Sequence, residues 1–200
     1  MLKRTFDIVV SLAGLIVLLP VLLVIVVLIK IRMPGPVFFC QQRVGRHGKL
    51  FSLVKFRTML GGLPGGNITV KGDNRITPTG AFLRRYKLDE LPELWNVLKG
   101  DMSFVGPRPD VPGYADRLTG RERRILDIRP GITSPATMKY NNEEEILALQ
   151  PEPVQYNDHI IYPDKVRINL EYMQRRNIWL DLKIIIFTVL NKKLTEEWAK

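Results

Sequence analysis

Asp89 and Glu90 stand side by side in the run Leu88-Asp89-Glu90-Leu91-Pro92-Glu93-Leu94-Trp95-Asn96-Val97-Leu98-Lys99-Gly100, where two carboxylates meet a helix start. Pro92 suits the first turn of a helix and Gly100 its end, so a helix is expected over residues 93–99 with Leu94, Val97 and Leu98 facing inward. The two acids then precede free backbone donors and the positive end of the helix dipole, which favour their ionised forms. Capping alone would need only one of them. Farther on, Val105-Gly106-Pro107-Arg108-Pro109 holds an arginine between two prolines, and Arg129-Pro130-Gly131-Ile132-Thr133 places another before a proline. A guanidinium on stiff backbone is suited to bidentate phosphate contact. Either turn alone is ordinarily structural; two of them beside paired acids in a basic chain point to anion binding.

The elements that must position these residues begin with an apolar segment. From Ile8 to Ile31 only Ser11, Gly14, Pro20 and Lys30 interrupt aliphatic residues, and ~20 apolar residues suffice to span a bilayer. The run is too long for a cleavable signal peptide and no small-residue cleavage pattern follows it. Lys3 and Arg4 precede it and Lys30 and Arg32 follow it, so both flanks carry the residues favoured on the cytoplasmic side, and Pro20 in the middle bends a helix. A helix that enters, kinks and returns fits these observations, and so does a plain single span.

The chain has 200 residues, room for one good core, and a net charge of +10. Such a charge selects a polyanionic partner: nucleic acid, an anionic membrane or a phosphorylated substrate. Between Asp7 and Asp73 there is no acid, while Lys30, Arg32, Arg43, Arg46, Lys49, Lys55, Arg57 and Lys71 fall there. Beside an apolar segment this reads as a membrane-facing surface, each cation contributing about 1 kcal/mol near an anionic leaflet; a solvated face is the plainer alternative. The single cysteine, Cys40, excludes an internal disulfide, fits a reducing compartment and is expected to be a packing residue.

Met33-Pro34-Gly35-Pro36 ends the apolar helix. Residues 37–42 and 49–57 are expected as strands joined by Gly45-Arg46-His47-Gly48, with Phe38, Phe51, Leu53 and Phe56 as apolar contributors and His47 solvated. Gly61-Gly62-Leu63-Pro64-Gly65-Gly66 reads as a flexible loop without the spacing or lysine of a phosphate-cradling P-loop. A basic helix with Arg84 and Arg85 is expected over 81–86, and further helices over 120–128, 142–149 and 165–176, with Glu143-Glu144-Glu145 as a solvated first turn rather than a metal site. Residues 178–190 are apolar but too short to span, and suit either the membrane interface or a buried core helix.

Taken in order, Gln42-Arg43-Val44-Gly45, Lys55-Phe56-Arg57-Thr58-Met59, Leu88 to Ser103, Gly106-Pro107-Arg108-Pro109, Arg129 to Thr133 and Leu180-Asp181-Leu182-Lys183-Ile184 resemble the bacterial sugar transferase family, the monotopic phosphoglycosyl transferases. The resemblance implies an α+β, mainly helical protein. Residues 1–33 would form a re-entrant membrane helix kinked at Pro20. Residues 34–200 would form a compact catalytic domain with a small β-hairpin and interfacial amphipathic helices, on the cytoplasmic face of the bacterial inner membrane. It implies transfer of a sugar 1-phosphate from a UDP-sugar to polyprenyl (undecaprenyl) phosphate with release of UMP. That is the first membrane step towards O-antigen, capsule, exopolysaccharide or glycoprotein glycan.

By position, Asp89 matches the family's nucleophile and Glu90 its Mg²⁺ ligand. A diphosphate repels an attacking carboxylate, so a divalent cation that neutralises phosphoryl oxygens is consistent with a covalent aspartyl-phosphosugar route. Lys55, Arg57, Arg108 and Arg129 match recurrent basic positions and are candidates for the phosphates. Many members carry aspartate where Asn169 stands, and Glu171 is a candidate substitute. Membrane lipids are implied partners, and exposed apolar helices would allow a homodimer. The competing class is a non-enzymatic, membrane-attached basic module for anionic lipid or nucleic acid. It would be strongly salt-sensitive and indifferent to Asp89 and Glu90. Nucleic acid is not expected, because interleaved aromatic stacking platforms are not evident.

Overall fold

The computed structural model describes residues 2–60 and 73–192; the glycine-rich stretch 61–66 lies outside them. Contacts group the described residues into two compact units, one of residues 2–42, 52–60 and 73–100, the other of residues 43–51 and 101–192.

The first unit is organised on α1 (Leu2–Arg32), a 31-residue helix with Pro20 inside it, long and apolar enough to cross a membrane. Pro34 cannot continue it. Most of its aliphatic surface is bare, Val17 being 74% and Val24 67% exposed, while Ile25, Ile29 and Met33 form a core with Phe56 and Leu83. Its N-terminal half meets the same unit: Arg4 donates to the carbonyls of Val97 and Leu98 at 2.6 and 2.8 Å, and a side chain at Gly14 would touch Leu94. Val97 and Leu98 lie in the last turn of α3 (Glu93–Lys99), where the Gly100 amide also donates to the Val97 carbonyl, so Arg4 adds donors at the carbonyl end of that helix.

Strands β1 (Phe38–Val44) and β2 (Leu50–Phe56) pair as the expected hairpin, its tip turning through His47 and Gly48 at positive φ. The strand boundaries move by one or two residues. Leu53 and Phe56 point into the core, whereas Phe38 is half-exposed while stacking on Phe56 at 5.4 Å. Cys40 corrects an expectation: it is exposed rather than packed, because β1 has little covering it and Phe38 and Phe39 beside it are bare too. Helix α2 (Pro78–Arg85) starts earlier than its basic residues suggest, since the Thr77 hydroxyl accepts from the amide of Gly80 and Pro78 presets the first turn.

In the second unit β3 (Ser103–Val105) pairs in parallel with β4 (Gly131–Thr133), Ser103 opposite Gly131 and Val105 opposite Thr133. Three-residue strands are too short for a period-2 signal, and neither was expected. The helix expected over 120–128 is instead a 3₁₀ stretch, Glu122–Asp127, which buries only Ile125 and Leu126. Then come α4 (Pro135–Lys139), capped by Ser134, α5 (Glu143–Ala148) and α6 (Pro153–Tyr156). A π turn (Asn157–Ile161) leads into α7 (Tyr162–Arg175). Helix α8 (Ile178–Val189) takes an intermediate form: Ile184 and Asp181 are buried against β3 and Tyr172, while Trp179 and Val189 on other faces are nearly bare.

Candidate active site

The acids are presented by a tight turn. Lys87 adopts left-handed φ/ψ (55°, 23°), costing about 1 kcal/mol for a residue with a Cβ, and turns the chain out of α2 into the 3₁₀ turn Leu88–Glu90. Asp89 is buried there, and its Oδ1 has no hydrogen-bond partner among the described residues. Glu90 accepts from the Lys55 ammonium at 2.9 Å, and the same ammonium lies 3.1 Å from Glu93, a fully buried carboxylate on the first turn of α3. Lys55 reaches them because β2 is tied to α3 by one side chain: Asn96 donates to the Ser52 carbonyl at 2.8 Å and accepts from the Val54 amide at 3.1 Å.

Burial raises the Asp89 carboxyl above the ordinary carboxylate range, and the Glu90 charge raises it further, against Lys55, Arg84 and Lys87, which pull it down. For Asp89 burial therefore works against the preference for the ionised form expected of the helix start. Asp89 sits in a 3₁₀ turn ahead of Pro92, removed from the first amides of α3, so desolvation decides. Sequence reasoning also passed over Glu93 and Asn96. The signal was available in spacing, since Glu93 lies three residues beyond Glu90, one helical turn away.

Arg57 goes elsewhere. It donates to the Met33 carbonyl at the exit of α1, and its guanidinium packs where a Gly35 side chain would be, so in this structure it serves the junction between α1 and the hairpin.

In the second unit the two arginine turns, about twenty residues apart in the chain, lie against each other. The Gly131 amide donates to the Pro107 carbonyl at 2.9 Å and the Gly106 amide to the Thr133 carbonyl at 3.0 Å. The approach is closed to side chains, for a Cβ on Gly131 would stand 2.1 Å from the Gly106 nitrogen. The stretch after Arg108 is held by Arg43, which donates to the Pro109 carbonyl at 3.1 Å, while the Val44 amide donates to the Asp110 carbonyl. The Asp110 carboxyl is pushed up to about 6, chiefly by burial, although Lys165, Arg43, the Tyr162 hydroxyl and Arg108 all pull it down. Arg108 and Arg129 are partly buried on either side of this seam. Of the other positions singled out, Asn169 is buried on α7 with Oδ1 unpartnered among the described residues, and Glu171 lies on the same helix at 3.9 Å from Arg167 and 4.0 Å from Arg175.

Among the described residues no three acids, histidines or cysteines gather as a metal cage. The donor set nevertheless fits one hard divalent cation. Mg²⁺ asks for only one or two protein carboxylates and completes its shell with water and phosphate oxygens, and here two adjacent carboxylates are present with an orphaned buried oxygen on Asp89.

The helix long and apolar enough to cross a membrane thus belongs to the same unit as the buried carboxylates of Asp89 and Glu93. The family follows from comparison: residues 1–193 match the bacterial sugar transferases, and the chain belongs to that family. It is 34% identical over 195 residues to the "Uncharacterized sugar transferase EpsL" of Bacillus subtilis (strain 168), spanning 98% of this chain and 89% of that protein. It is 38% identical over 200 residues to the "Exopolysaccharide production protein PSS" of Rhizobium leguminosarum bv. phaseoli, spanning 96% of this chain and 94% of that one. It is 36% identical over 195 residues to the "UDP-glucose:undecaprenyl-phosphate glucose-1-phosphate transferase" of Xanthomonas campestris pv. campestris. There the alignment spans 94% of this chain but only 38% of the relative's length.

Proposed function

We propose that this protein transfers a sugar 1-phosphate from a UDP-sugar to undecaprenyl phosphate at the membrane, with release of UMP. The observation that carries this reading is buried Asp89 beside partly buried Glu90, with Lys55 between Glu90 and Glu93, in a chain of the sugar transferase family. An Asp89 oxygen attacks the phosphorus that bears the sugar. The bond from that phosphorus to the bridging oxygen breaks, and UMP leaves with the electron pair. An oxygen of the lipid phosphate then attacks the same phosphorus, the aspartyl–phosphorus bond breaks, and the carboxylate is restored beside a lipid diphosphate sugar.

Burial suits Asp89 to the first role, because a carboxylate stripped of hydration is a stronger nucleophile once ionised. Glu90 is the residue that would hold Mg²⁺, which when bound supplies positive charge to the phosphoryl oxygens. Lys55, Arg108 and Arg129 are proposed to meet the phosphates; Arg57 is less suited, being engaged at Met33. The re-entrant course of α1, with residues 34–200 on the cytoplasmic face of the inner membrane, is supported by Arg4 near one end and Met33 at the other both packing on the first unit.

The test is UMP release on mixing the full chain in nanodiscs with Mg²⁺, undecaprenyl phosphate and a panel of UDP-sugars. Asp89→Asn is expected to lose about 10³-fold or more in turnover, and to retain no radiolabelled sugar phosphate when acceptor is withheld. Intact turnover in this variant would remove Asp89 from the mechanism. Because the Asp89 carboxyl is raised and must be ionised to attack, activity falls on acidification at a pH above the ordinary carboxylate range. For α1, a thiol introduced by Leu2→Cys in a Cys40→Ser background is expected to resist an impermeant reagent applied from the periplasm. Labelling from that side would exclude re-entry.

A further inference from the structure

Lys55 is in contact with two of the three acids of the site. It is only 16% exposed, and it lies 2.9 Å from Glu90 and 3.1 Å from Glu93. Asn96 fixes the strand residues on either side of it, so its backbone cannot drift from α3. Glu93 is 2% exposed on the first turn of that helix and is equally fixed. Glu90, on the short turn before it, carries the more accessible of the two carboxylates. Charge is therefore shared unevenly: an ammonium whose strand is pinned bridges one immobile acid and one acid on a turn.

We infer that Lys55 is a resident counter-ion in the place of the divalent cation, and that Glu93 is a positioning residue which receives it. When Glu90 turns to a divalent cation, the ammonium stays on Glu93, at the edge of the cluster, with donor bonds free for a phosphate oxygen. Loading the cation and presenting Lys55 to the donor are then one event. This rests on the reading that Glu90 holds the metal. The physical reason is competition, since one carboxylate cannot satisfy an ammonium and a dication at full strength, and a cation a few ångströms away repels another strongly where water is scarce. Without Glu93, the ammonium would turn more fully to Glu90 and hold it more tightly.

The experiment is a Mn²⁺ titration of the full chain in nanodiscs, without nucleotide, with free Mn²⁺ followed by electron paramagnetic resonance. Lys55→Met is expected to bind Mn²⁺ about tenfold more tightly than the parent, and Glu93→Gln about threefold to tenfold more weakly. In a Lys55→Met background Glu93→Gln loses most of its effect, because the ammonium it would have received is gone. A purely structural Glu93 would lower the thermal midpoint and leave the Mn²⁺ affinity alone, and that result overturns the inference. So does an equal effect of Glu93→Gln in both backgrounds, which would mean that it acts by charge only, and so does weaker binding by Lys55→Met. If Lys55→Met fails to fold, the isosteric Glu93→Gln decides through its Mn²⁺ affinity against its thermal midpoint. Glu90→Gln separates the two levels. Unchanged Mn²⁺ affinity there removes Glu90 as ligand, whereas a loss there with Lys55→Met and Glu93→Gln both within twofold of the parent removes only the handover.

Discussion

The acid cluster of the first unit and the arginine seam of the second are built with opposite signs and by opposite means. In the first, a lysine lies between Glu90 and Glu93 with Asp89 buried alongside. In the second, Asp110 lies among Lys165, Arg43 and Arg108. Each cluster thus sets one sign of charge around a residue of the other sign. They differ also in what holds them. Side chains place the acids, Asn96 tying α3 to β2 and Lys55 bridging carboxylates, whereas backbone places the arginine turns, through amide–carbonyl pairs at a glycine-on-glycine approach. A charge held by side chains can exchange partners. A charge held by backbone presents one geometry.

The sharpest way to break that contrast is Gly131→Ala. The added carbon would stand 2.1 Å from the Gly106 nitrogen and 2.7 Å from its oxygen, and backbone on both sides leaves nothing flexible to yield. A loss of about 3 kcal/mol or more is expected, read as a fall in denaturation midpoint, with UMP release falling as the seam between Arg108 and Arg129 opens. A midpoint equal to the parent's would show that the close approach is not needed.

Asn96→Ala tests the side-chain half. It leaves the Ser52 carbonyl and the Val54 amide without their partner, at a cost of about 2 kcal/mol, and it frees the strand that carries Lys55. The expected signature is a lower denaturation midpoint together with a raised KM for the UDP-sugar. A stability loss with unchanged KM would mean that the Asn96 clamp does not position Lys55.

This contrast also explains what could be read beforehand. The apolar helix, the hairpin and α3 were legible because each is a local pattern: a long aliphatic run, two strands around a glycine turn, a proline start with a glycine stop. The parallel pairing of β3 with β4 was not, since Ser103–Val105 and Gly131–Thr133 are three residues each and meet only through tertiary contact. In the acid cluster, Asp89 and Glu90 announce themselves by adjacency, but Lys55 lies 35 residues from Glu90 and no local rule joins them. Arg57 was named from its match to a recurrent basic position, and its bond to the carbonyl of Met33, 24 residues away, follows no local rule either. Cys40 was expected inside because cysteines usually are, and it is exposed because little covers β1.

The smallest expected effect concerns the minority charge of the second unit. The folded-state value of Asp110, about 6, lies above its ordinary 3.8, so the folded protein binds that proton more tightly than the unfolded chain. Its stabilising contribution is complete below 3.8 and is lost as pH rises through about 6. Asp110→Asn keeps the shape without the charge. It should match the parent near pH 4 and exceed it by about 1 kcal/mol at pH 8, followed as the difference in denaturation midpoints across that range. Asp164 supplies the opposite slope in the same unit. Burial works to raise it, but hydrogen bonds from Lys139, Tyr140 and Arg167 outweigh burial and hold it at about 2. Its contribution is therefore present above 3.8 and lost as pH falls through about 2, so Asp164→Asn should be the less stable variant at pH 8. If Asp110→Asn instead lost stability at pH 8, as is expected of Asp164→Asn, Asp110 would be an ordinary ion-pair partner of Lys165 and Arg43 rather than a carboxyl that burial penalises when charged.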